Sequence, residues 1–152
     1  NENVMNAEKL KKILADHKVW VESDYQTGKK ANFCNADLIG ANLRYADLNG
    51  ANLTYANLNW VDLRGADLNG ADLRAANLNG ANLIRANLRY ANLIGADLSG
   101  SNLIGVDLTG AHFELEFKSV NNFRNAIFSE SAIPWVILNP QWSEWADSVK
   151  FA

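Results

Sequence analysis

Cysteine and histidine are nearly absent: one cysteine, Cys34, and two histidines, His17 and His112, in 152 residues. A lone cysteine excludes a disulfide within the chain and fits a reducing compartment, so a cytoplasmic location is expected. With no metal-ligand spacing among these three residues, neither metal nor cofactor is expected. Long apolar runs are missing as well. No stretch of about 18 apolar residues could span a bilayer, and no membrane association is expected. Nor does one sign of charge dominate. Seventeen acidic and 14 basic residues leave a net charge of −3, too balanced for a surface that binds nucleic acid directly. Asn1 to Val4 carry no secretory signal; Met5 reads as a native start, with residues 1–4 an addition before it.

Catalytic patterns are missing too. There is no G-x-S-x-G, phosphate loop or dinucleotide fingerprint, and the chain reads as a non-enzyme. Thr54 and Thr109 are too few for a flat ice-binding threonine array. A period of five also excludes the six-residue left-handed helix of some acyltransferases.

What the chain does contain is a ruler of five. From Ala31 to Leu115 it divides into seventeen consecutive pentapeptides of the form Ala-(Asn/Asp)-Leu-x-x without an insertion. The third position is Leu fifteen times and Phe twice, at Phe33 and Phe113. The first is Ala except at Val61, Ser101 and Val106, and the second is Asn or Asp except at His112. On an α-helix this spacing would rotate each Leu by roughly 140° from the last, and on a flat strand it would flip alternate Leu to opposite faces. Each unit therefore contains a bend. Ala and Leu, two apart, point to one side of a short extended piece, and the Asn or Asp between them points away. The last two residues turn the corner, where Gly is frequent because its backbone is permissive. A chain that bends after every such piece winds into a polygonal coil around a Leu column, with coils stacked about 4.8 Å apart. Asp and Asn interchange freely at the second position, so these carboxylates read as structural and not as paired acids and bases.

Seventeen tandem units of this form resemble the pentapeptide-repeat proteins. The resemblance implies an all-β solenoid, a right-handed quadrilateral β-helix with four pentapeptides per coil. Residues 31–115 are then the regular helix. After a break at 116–120, Phe123, Phe128, Ile133 and Leu138 return to the same phase, so 116–138 reads as an irregular continuation. Residues 1–30 form a capping helix and linker: Leu10, Ile13, Leu14 and His17 recur at helical spacing, with Glu8 in the first turn and Gly28 beyond the end. Residues 139–152 read as a C-terminal capping α-helix, with Asn139 as N-cap, Pro140 at its first position, and Trp142, Trp145 and Val149 on one face. That face is a candidate cap or dimer contact, so the chain is expected to be a monomer or a homodimer through this segment.

On a twenty-residue coil, Arg44, Arg64, Ile84 and Ile104 would stack on one face beside Tyr45 and Arg85. Asp47, Asp67, Asn87 and Asp107 would stack on the next, where like charges repel. Tyr55, Trp60 and Tyr90 stand at corners normally held by Gly. The candidate partner surface is therefore Arg44, Tyr45, Tyr55, Trp60, Arg64, Arg85 and Tyr90, since Arg and aromatic residues dominate binding hot spots. The competing reading of these residues is plain surface decoration, or packing between coils. Cys34, outward in the first repeat, has no basic neighbour to activate it. The function expected is a non-enzymatic protein-interaction or structural scaffold with a protein partner. The alternative, implied by the quinolone-resistance branch of the family, is a DNA-mimicking modulator of DNA gyrase.

Overall fold

A computed structural model of the chain describes residues 5–112, 124–128 and 147–152. Each second-position residue pairs in parallel with the residue twenty positions on, from Asn32↔Asn52 to Asn92↔His112. Twenty residues at five per side close a four-sided coil. Face 1 begins at 31–35, face 2 at 36–40, face 3 at 41–45 and face 4 at 46–50, and each recurs at twenty-residue steps.

One repeat shows how the backbone is satisfied. The Leu43 N–H donates to Asp62 O (2.8 Å) and the Tyr45 N–H to Arg64 O (3.0 Å) in the next coil, while the Asp62 N–H returns to Ala41 O (3.0 Å). The corner is closed by the Ala46 N–H on Leu43 O, 3.1 Å. Its third residue, Tyr45, has φ 56°, the pattern of a type II turn. Because the coils repeat this ladder, side chains are free to specialise: Leu58, Leu63, Leu68 and Leu73, one from each face, are fully buried round the column.

The first coil has no predecessor, and a helix covers it. Helix α1, Ala7–Glu22, starts at Asn6, whose side chain accepts from the Lys9 N–H at 2.8 Å. Leu10, Ile13 and Leu14 pack on the core, and His17 is buried. Gly28, at φ 82°, lets the chain double back: a Cβ there would stand 2.6 Å from Trp20 N and 2.7 Å from Asp16 O.

At the other end the five-residue phase resumes. Strand β1, Asp107–Leu108, pairs in parallel with β2, Ile127–Phe128, twenty residues on. Ala126 and Phe128 are buried as first- and third-position residues. The expected helix over 139–152 does not extend over 147–152. Asp147 and Ser148 form a turn there, and Lys150–Phe151 is a strand, β3, paired with β2 as Ile127↔Lys150 and Phe128↔Phe151. The physical reason is the open edge of β2 beside a two-residue alternation: Val149 and Phe151 both pack on the core, and the Phe151 ring lies 6.3 Å from that of Phe128. Val149 is thus a core contact of the last rung and not part of a helix face. Trp142 and Trp145 lie outside the described residues.

Candidate functional site

Most of what decorates the faces is structural. From Asn32 to Asp107, every second-position side chain accepts, through Oδ1, the N–H of the residue two places on. One oxygen suffices for this turn, which is why Asn and Asp interchange. Cys34 is exposed, with Thr54 Oγ1 3.2 Å from its sulfur. Among the described residues no three His, Cys, Asp or Glu side chains converge on a point that could hold a metal ion.

The corners follow a second rule. Every fifth-position residue from Asn35 to Gly110 has positive φ, including the non-glycines Tyr45, Tyr55, Trp60, Ala75, Arg85 and Tyr90 at 53–58°. Such a conformation costs a side-chain-bearing residue about 1–2 kcal/mol. Three of the large residues lie over a glycine one coil on. A Cβ built on Gly65 would meet the Tyr45 ring at 2.6 Å, one on Gly80 the Trp60 ring at 2.5 Å, and one on Gly110 the Tyr90 ring at 2.5 Å. The Arg85 stem lies along Gly105 in the same way, at 3.4 Å. These rings are therefore packed between coils on one side and open on the other: Tyr45 is 72% exposed and Trp60 69%.

The four-sided coil divides the seven candidate surface residues. Arg44 and Arg64 lie on face 3, Trp60 on the corner where that face begins, and Tyr45 and Arg85 on the corner where it ends. Tyr55, between faces 1 and 2, and Tyr90, between faces 4 and 1, point elsewhere. Charge divides as well. Face 3, over residues 41–105, carries Arg44, Arg64 and Arg85 against Asp62 alone. Face 2 carries Asp37 and Asp97 with no arginine, face 4 has Asp47, Asp67 and Asp107 against Arg89, and Asp72 and Arg74 balance on face 1.

Three of these arginines are already engaged. Arg64 grips Asp62 through two of its nitrogens, and Arg74 does the same to Asp72. These hydrogen bonds hold both carboxyls below the usual range. Arg89 reaches Asp107 at 3.2 Å. Burial works to raise the Asp107 carboxyl, but hydrogen bonds from Thr109 and Arg89 outweigh it and hold it low. Asn87 eases the like-charge stack by donating to Asp67 at 3.0 Å. Among the described residues, Arg44 and Arg85 reach no carboxylate; Arg44 lies over the Tyr45 ring, 5.5 Å from its centroid.

The profile described as pentapeptide repeats matches residues 31–70, 56–92, 66–103 and 76–114, more than half of the chain. The chain belongs to the pentapeptide-repeat family. Membership implies that the coil is a right-handed β-helix, and proteins of this family are in general non-enzymatic structural and interaction modules. Among solved structures, alr5209, a pentapeptide repeat protein from Nostoc PCC 7120, is 28% identical over 75% of this chain and 100% of its own, with a TM-score of 0.57. Rfr23, a pentapeptide repeat protein from the cyanobacterium Cyanothece 51142, is 33% identical over 69% of each chain, with a TM-score of 0.43. QnrB1, described as a plasmid-mediated fluoroquinolone resistance protein, is 23% identical over 70% of this chain and 61% of its own, with a TM-score of 0.36. No curated protein matches the chain.

For a pentapeptide-repeat protein, the residue that sequence reasoning underrated is His17. Its Nδ1 accepts the Ala31 N–H at 3.0 Å, and its ring stacks on Trp20 with centroids 5.3 Å apart. In later repeats the first-position N–H finds a Leu carbonyl of the preceding unit, as Ala41 finds Leu38 at 3.0 Å. At Ala31 no preceding repeat exists, and the imidazole stands in for that carbonyl. Burial pushes the His17 pKa below 6.5; nearby Asp47 opposes the shift and Lys30 adds to it. The apolar stripe of α1 was the available signal for its burial, but nothing local pointed to Ala31.

Proposed function

We propose that this chain is a non-enzymatic interaction scaffold: a rigid four-sided rod that presents face 3 and its two corners to a protein partner. The observation that carries the reading is the seating of Tyr45 and Trp60. Each ring is held over a glycine of the next coil while most of its surface stays open, so little side-chain freedom remains to be lost on binding. The reading takes the cytoplasm as the compartment, in keeping with a single cysteine.

Affinity capture from the native host tests it, using the wild type, Trp60→Ala and Arg64→Glu. Each substitution is expected to weaken recovery of a specific partner by about tenfold, as truncating a hot-spot residue does. Equal recovery by all three would remove face 3 from the reading, and no recovery at all would remove the scaffold. A gyrase-directed DNA mimic is opposed by the charge pattern, because face 3 is cationic and Asp62, Asp72 and Asp107 are each paired with arginine. Inhibition of gyrase supercoiling by micromolar protein would reverse that judgement.

A further inference from the structure

We infer that face 3 is the docking surface for an acidic polypeptide segment, one that brings carboxylates to Arg44 and Arg85 and seats apolar side chains on Ile84 and Ile104. The inference rests on the scaffold reading and gives the partner a chemistry. It stands first on charge complementarity. The chain as a whole is net negative, yet three of the five arginines in the regular repeats gather on this face or its corner. Arg64 is satisfied by Asp62, which leaves the guanidiniums of Arg44 and Arg85 to find carboxylates outside the described chain. They stand two coils apart, on the order of 10 Å. Between them the fourth-position column holds Arg64, and from Ile84, beside Arg85, to Ile104 the column turns apolar and partly exposed.

The flanks decide the class of partner. Face 2 carries only aspartates as charged repeat residues, and face 4 has three aspartates against one arginine. A nucleic-acid duplex is wider than one side of the coil and would lie against both acidic flanks. An extended peptide fits within the face, and the flanks hold it in register by repulsion on either side. A second copy docked face 3 to face 3 would set arginine against arginine. Tyr45 and Trp60, fixed over their glycines, then wall the segment at the two corners.

The test uses the whole chain and backbone-amide NMR, titrating a peptide of alternating glutamate and leucine, its lysine counterpart and single-stranded DNA. The acidic peptide is expected to shift amides of 41–45, 61–65, 81–85 and 101–105, with binding that weakens as salt is added. The Arg44→Gln, Arg85→Gln double variant should bind at least about fivefold more weakly, whereas Arg74→Gln on face 1 should not change binding. Shifts on other faces, an equal response to the lysine peptide, or tighter binding of DNA would each overturn the inference. So would face-3 shifts that follow protein concentration alone, the sign of a second copy. Recovery of a native partner through another face, with no response to the acidic peptide, would overturn this inference and leave the scaffold reading standing.

Discussion

The interior of the coil and its corners obey different rules. Inside, one short-range rule holds from Phe33 to Leu108: every fifth residue is large, apolar and buried. At the corners the same backbone angle recurs but the side chains vary: one corner alternates at a step of twenty, Tyr45, Gly65, Arg85 and Gly105, and Trp60 and Tyr90 at two others are each followed by a glycine one coil on. The interior sets the fold. The corners decide what the rod shows to a partner, and they must stay compatible with the coil above and below.

The largest expected effect breaks the interior. Leu73 is fully buried in the column, and Leu73→Ala removes contacts to leucines of its own and neighbouring coils. A loss of about 2–5 kcal/mol is expected, read as a lowered denaturant midpoint. An unchanged midpoint would contradict a continuous core.

A pair of glycine variants sharpens the comparison. Gly70 has open space where a Cβ would go, so Gly70→Ala carries only the conformational cost, about 1–2 kcal/mol. Gly80→Ala carries the same cost and also drives a methyl into the Trp60 ring, 2.5 Å away. The ring must leave its seat, so Gly80→Ala is expected to lose about 1–3 kcal/mol more than Gly70→Ala and to change tryptophan fluorescence. Equal costs for the two would show that Trp60 does not need Gly80.

This difference also explains what could be read from the sequence. The Leu column and the interchange of Asn and Asp are local patterns, and both were legible. So was the return of phase that buries Phe128, because it keeps the same count. The glycine under Tyr45, Trp60 and Tyr90 lies twenty residues away and is meaningful only once four sides are known, so the sequence leaves partner contact and packing between coils as open alternatives for Trp60. The candidate surface was partly legible for the same reason. Arg44, Tyr45 and Arg64 stack by simple counting, whereas the spread of Tyr55 and Tyr90 to other corners needs the coil itself. Over 147–152 the local helix signals mislead: the spacing of Trp142, Trp145 and Val149 suits a helix, but the open edge of β2 recruits Val149 and Phe151 into a further rung.

The smallest expected effect lies where both rules end, at the first coil. There the Ala31 N–H depends on a neutral His17, since a proton on Nδ1 would set a donor against a donor 3.0 Å away. The folded pKa of His17 lies below the 6.5 of the unfolded chain because burial disfavours the charged ring. Between those two values the unfolded state binds more protons, so stability rises with pH across that window. The contribution is complete above about pH 7, declines as pH falls through 6.5, and stops declining below the folded value. His17→Gln removes the titration and should flatten this part of the profile, while lowering stability at neutral pH if its amide fails to replace the bond to Ala31. Thermal midpoints of both proteins from neutral to mildly acidic pH provide the measurement, with fluorescence to follow Trp20, which stacks on the imidazole. Parallel profiles for the two proteins would mean that acid acts elsewhere, and that the end of the ladder is closed by α1 packing alone.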